Sequence, residues 1–132
     1  MISQFFNTFY KRVISMIGLL FVLLNYHGVQ AQQSPEKILF FGDSITAGYG
    51  LNPKRAFPAL IQQQIDSLGL NYTVVNAGLS GETSAGGLRR VDWVLQQGVH
   101  IFVLELGGND GLRGLNLQQT KTNLQGIIDK VK

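Results

Sequence analysis

The sequence predicts an open parallel α/β sheet in three layers, with helices on both faces, and three observations lead to it. Short apolar runs, too brief for helices and too continuous for strands wet on one face, alternate with segments of helical period. Each run opens directly into a loop of small polar residues, and the spacing between runs suits parallel strands joined by right-handed crossovers. At 132 residues the chain has room for one domain, and its 45% hydrophobic and 14% charged composition is that of a globular protein.

The first stretch is read apart from the domain. Lys11 and Arg12 flank an apolar segment from Val13 to Leu24, and Val29-Gln30-Ala31 offers small residues for cleavage, the three parts of a secretory signal. Residues 1–31 are therefore expected to be a signal peptide cut after Ala31, and His27 leaves with it. The apolar run is shorter than the roughly 18–20 residues that span a bilayer, so no stable membrane insertion is expected after cleavage. Periplasmic or secreted localisation follows, and with no cysteine there is neither a lipobox thiol nor a disulfide framework. Two of the eleven Lys and Arg residues leave with the signal and none of the eight acids do, so the mature chain is nearly neutral. That balance gives no reason to expect a nucleic-acid partner, and Arg89-Arg90 reads as a solvated helix face.

Along the mature chain, residues 32–132, Ile38 to Phe41 form the first strand. "FPALIQQQIDSLG" is the first helix, with Phe57, Leu60, Ile61, Ile65 and Leu68 at helical spacing, Pro58 in the first turn and Gly69 as the stop. "YTVVNAG" is the second strand, and the helix after it is opened by Thr83 or Ser84 and closed by Gly98. "HIFVLELG" is the third strand, and a last helix runs from Leu117 to Val131 with Leu117, Leu124, Ile127, Ile128 and Val131 on one side. Open doubly wound sheets usually carry five or six strands, so this chain reads as the N-terminal portion of such a domain, incomplete at its C-terminus.

Ligands bind such sheets at the carboxyl ends of the strands, where "GDSITAGYG", "NAGLSGETS" and "GGNDG" are expected to crowd together. Singly, each is ordinary turn and cap chemistry. Together they supply a hydroxyl nucleophile at a strand end, a backbone N–H made approachable by glycine, and a carboxamide donor, the parts of an acyl-transfer site.

In these three blocks the chain resembles the GDSL, or SGNH, hydrolases. "GDSITAGYGL" is similar to their first block, "NAGLSGETS" to their glycine block and "ELGGNDGLRG" to their Gly-x-Asn-Asp block, the last close to that of bacterial periplasmic arylesterases, lysophospholipases and thioesterases. The resemblance covers Ile38 to about Lys132 and implies a flavodoxin-like α/β/α fold. By position it makes Ser44 the nucleophile and, through its N–H, one oxyanion donor; Gly81 supplies a second N–H and Asn109 a side-chain amide. Asp43 is expected to shape the loop, and Ile45 stands where the family name has leucine. The implied partner is a small carboxylic ester or thioester, with no metal or organic cofactor; the sequence is silent on oligomeric state.

The family's fourth block, Asp-x-x-His, does not occur in these residues. A serine hydroxyl needs a base, so a chain without that histidine is expected to be inactive. His100 is no substitute: it begins the third strand, roughly 20 Å from the catalytic edge at about 3.3 Å per residue. Glu105 is a candidate buried acid, expected to be hydrogen-bonded structure. Two other readings use the same residues: a non-catalytic acyl or glycan binder, and a flavin mononucleotide binder in which Ser44, Thr46 and the nearby glycines cradle a phosphate.

Overall fold

Strand β1 (Glu36–Gly42) buries Leu39, Phe40, Phe41 and Gly42 in succession, which requires cover on both of its faces. The sheet provides the centre for it. In the computed structural model, which describes residues 14–15 and 34–132, β1 pairs in parallel with β2 (Tyr72–Gly78) on one side and with β3 (Ile101–Glu105) on the other. The order β2-β1-β3 means that the chain reverses its direction of travel across the sheet at β1. The registers end level: Gly42 lies opposite both Gly78 and Glu105, so all three strands release their loops from one row. The three polar blocks are thereby gathered at one edge, at the switch point of the topology.

Helices follow the strands. The turn α1 (Ser44–Ala47) comes straight after β1, a 3₁₀ turn spans Pro53–Arg55, and α2 (Phe57–Ser67) leads to β2. α3 (Ser84–Leu95) crosses from β2 to β3, the five-residue α4 (Gly108–Leu112) follows β3, and α5 (Leu117–Val131) closes the described chain. The sequence reading treats α1 and α4 as loops, because turns this short have no room for a hydrophobic period.

Alternate residues of β1 face opposite layers. Leu39 and Phe41 join Val91 and Val94 of α3 and Ile127 of α5 in one core, where all five are fully buried. Phe40 turns the other way and meets Phe57 of α2 edge-on, ring centroids 5.3 Å apart, with Ala56 and Ile65 buried in the same layer.

The helix spans agree with the sequence reading to within a few residues, and the faces agree less well. Leu60 and Leu68, read as core, are 50% and 62% exposed. The buried stripe of α2 centres on Pro58 and Ile65, about 150° around the helix from Leu60 at 100° per residue, while Leu68 is already the C-cap. On α5, Leu117 is 81% exposed and Ile128 is exposed, while the polar Thr120 and Asn123 are buried beside Ile127. The signal peptide expected over residues 1–31 lies outside the described residues except for positions 14 and 15. Among the described residues no helix is long and apolar enough to cross a membrane.

Candidate active site

The backbone after β1 turns so sharply that Ser44 begins a helical turn two residues after Gly42. Asp43 caps this turn: its Oδ1 accepts the Ile45 N–H at 3.0 Å, and the residue is 2% exposed. The turn lies almost on β2, because a Cβ at Gly78 would stand 2.2 Å from the Ala47 nitrogen, closer than two such atoms can approach. Two side chains fasten it further. Asn76 donates from Nδ2 to the Thr46 carbonyl at 2.9 Å, and Thr46 donates from Oγ1 to Glu105 Oε2 at 2.8 Å. Glu105, read as a buried acid, is only partly buried but is hydrogen-bonded structure as expected. Ser44 is partly exposed, and its hydroxyl takes no hydrogen bond from any described residue.

The second block reaches the same edge. Leu79 donates its N–H to the Gly42 carbonyl at 2.9 Å, and Gly81 follows with φ +78°, a conformation that any residue with a Cβ adopts only under strain. Thr83 is the helix cap, its hydroxyl accepting from Gly86 N at 3.3 Å, which resolves the choice between Thr83 and Ser84.

The third block closes on the first. Asn109, on α4, donates from Nδ2 to Asp43 Oδ2 at 3.0 Å. Arg113 joins the second and third blocks: its backbone N–H goes to the Asn109 carbonyl at 3.2 Å and its guanidinium to the Gly81 carbonyl at 2.9 Å. Ser44, Gly81 and Asn109 therefore belong to one hydrogen-bonded cluster of loops. His100 does not: it sits at the opposite end of β3, where its N–H meets the Lys37 carbonyl and its Nδ1 accepts the Lys37 N–H. Among the described residues no imidazole faces Ser44.

A match to the GDSL-like lipase/acylhydrolase family model extends over residues 40–132 and takes in all three blocks. The chain belongs to this family.

Esterase TesA of Pseudomonas aeruginosa is 42% identical over 102 residues, which are 76% of this chain and 51% of that protein. The Escherichia coli K12 protein named thioesterase 1/protease 1/lysophospholipase L1 is 43% identical over 115 residues, 86% of this chain and 52% of its own. Among solved structures, AlinE4, described as an SGNH-hydrolase family esterase, superposes with a TM-score of 0.68 at 42% identity, covering 74% of this chain and 53% of that one. The chain spans about half the length of the curated relatives it matches. Its GDSL-like fold is the expected α/β/α arrangement.

In this GDSL-like chain, one expectation is overturned and several supports of the site come to light. Arg90 is not on a solvated face. It pairs with buried Glu82, donates to the Ala77 carbonyl at 2.8 Å and lies 4.0 Å from the centroid of the Phe41 ring, fastening α3 beneath the strand ends. Arg89 alone faces water. An arginine pair on a helix gives no sign of which member finds a carboxylate eight residues back.

Asp110, the neighbour of Asn109, was not singled out by its sequence either. It is 3% exposed and accepts from Ser84 N at 2.8 Å, Ser84 Oγ at 2.5 Å and Thr120 Oγ1 at 3.1 Å. Asn123 completes the group by donating to Ser84 Oγ at 3.0 Å, which explains the polar buried face of α5. Burial alone would raise the Asp110 carboxyl, but the bonds from Ser84 and Thr120 outweigh it and hold the group below its usual 3.8. With the folded value below the unfolded one, Asp110 stabilises the fold above about pH 4. That contribution is lost as pH falls through the lowered value. Thermal unfolding followed between pH 6 and pH 2 should therefore show an acid-side loss that Asp110→Asn flattens. Asp110→Ala, which leaves buried donors of Ser84 without an acceptor, should cost about 2–4 kcal/mol.

Proposed function

We propose that this protein is a serine ester hydrolase acting on carboxylic esters or thioesters, with Ser44 as nucleophile. The observation that carries the reading is the contact between the first and third blocks, which brings the Asn109 carboxamide to the loop where Ser44 begins a helical turn. The Ser44 oxygen attacks the acyl carbon, and the carbonyl electrons move onto oxygen. The N–H groups of Ser44 and Gly81 and the Asn109 amide stabilise the resulting oxyanion. Collapse expels the alcohol or thiol and leaves an acyl-serine ester, which water hydrolyses. Proton transfer to and from Ser44 requires a general base that is not among the described residues; the resemblance puts it on an Asp-x-x-His block. Reading the encoding nucleotide sequence past codon 132 for an open frame with that block tests this assignment of the base. The names of the relatives, esterase and thioesterase, support the ester and thioester classes.

The test is hydrolysis of short-chain nitrophenyl esters by the full gene product, with a fluorophosphonate labelling Ser44. Turnover with labelled Ser44 supports the hydrolase; ligand binding without turnover or labelling favours an acyl or glycan binder. Export by residues 1–31 is part of the proposal, and sequencing of the secreted or periplasmic form should begin at Gln32.

A further inference from the structure

Asp43 has two carboxylate oxygens and a different task for each. Oδ1 caps the turn that begins with Ser44, through the Ile45 N–H at 3.0 Å. Oδ2 receives the Asn109 side-chain amide, also at 3.0 Å, from 66 residues further along the chain. The third block approaches closely here: a Cβ at Gly108 would stand 3.3 Å from Asp43 Oδ2, a tight contact that a shift of a few tenths of an ångström would relieve. Asp43 is 2% exposed, so water offers Asn109 little competition there.

A carboxamide has a donor end and an acceptor end of nearly equal shape, and an ionised carboxylate is acceptor only. A carboxylate facing Asn109 therefore admits only its NH₂ end. One of the two N–H bonds is spent on Asp43, and the other remains for a ligand. Without that restraint the amide is free to turn its oxygen toward the reacting centre, where it would repel an oxyanion.

We propose that Asp43 is the positioning residue of the oxyanion hole: its carboxylate selects the donor orientation of Asn109 while the same group holds the Ser44 turn. The inference rests on the hydrolase reading for its kinetic consequence but not for its geometry. Charge and position have opposite effects here. A negative charge beside a developing oxyanion slows the reaction, so a neutral residue at 43 would raise the rate if charge dominated, and lower it if orientation does.

Asp43→Asn separates the two, because asparagine caps a helix as well as aspartate does but presents either end of its amide to Asn109. In the full gene product this variant should lose kcat by about 10- to 100-fold, less than the roughly 10²–10³-fold for deleting an oxyanion donor, with KM within about twofold. On an Asn109→Ala background it should cost nothing further, since two residues acting as a unit are not additive. An unchanged or raised kcat, or the same loss on both backgrounds, overturns the proposal, the latter marking a general structural role. A second measurement does not depend on activity: the Asn109 side-chain ¹⁵NH₂ signals should carry a carboxylate-bonded proton that Asp43→Asn removes while backbone amide dispersion is kept. If those signals are the same in both proteins, the orientation claim fails. If instead the unsubstituted protein neither turns over esters nor labels at Ser44, the hydrolase reading fails while the amide signals still decide the Asp43–Asn109 bond.

Discussion

Ser44→Ala in the full gene product is expected to abolish fluorophosphonate labelling and to lower ester turnover by about 10⁶-fold, the scale seen when a serine nucleophile is removed. The loss is this large because the bond-forming atom itself is gone, leaving only substrate binding and the oxyanion donors. The substitution should be mild for the fold. Ser44 is partly exposed, its hydroxyl bonds no described residue, and the cap of its turn belongs to Asp43. Unfolding temperature and active-site titration measured together check both halves of the expectation. Wild-type turnover in the alanine variant would mean that another residue attacks the ester.

Asn109→Ala should lower kcat by about 10²–10³-fold and leave KM nearly unchanged, because a donor aimed at the oxyanion acts in the transition state far more than on the neutral carbonyl. The substitution also acts on the fold: the alanine orphans Asp43 Oδ2, which is buried and has Asn109 as a hydrogen-bond donor. A buried acceptor left without its partner typically costs about 1–3 kcal/mol, so a lower unfolding temperature should accompany the kinetic effect. A variant with normal kcat and raised KM would make Asn109 a ground-state contact instead.

Much of the fold was legible because its signals are local. Ile38 to Phe41 could only be a strand covered on both faces, and the 15-residue span of α5 follows from helical spacing. The three blocks are contiguous words in the chain, so a family resemblance can be read from them and implies roles for Ser44, Gly81 and Asn109, and the alternation of strands and helices was enough to expect the blocks at strand ends. Hydrophobic period misled on α5 because Thr120 and Asn123 are buried by hydrogen bonds, and a pattern of apolar residues has no means of anticipating a polar side chain whose partner, Asp110 or Ser84, comes from another element. The same blindness put Arg90 in water.

By itself, then, the sequence determined which segments become strands and helices and which three polar loops open from the strand ends, since each depends on neighbours within a few residues. Only the tertiary structure decided the order β2-β1-β3 that makes the end of β1 the switch point, the Glu82–Arg90 pair under Phe41, and the bond from Asn109 to Asp43. These depend on which distant groups the parallel registers bring level at Gly42, Gly78 and Glu105. A buried charge or amide is stable only where such a partner arrives, and that meeting is a property of the folded chain rather than of any stretch of it.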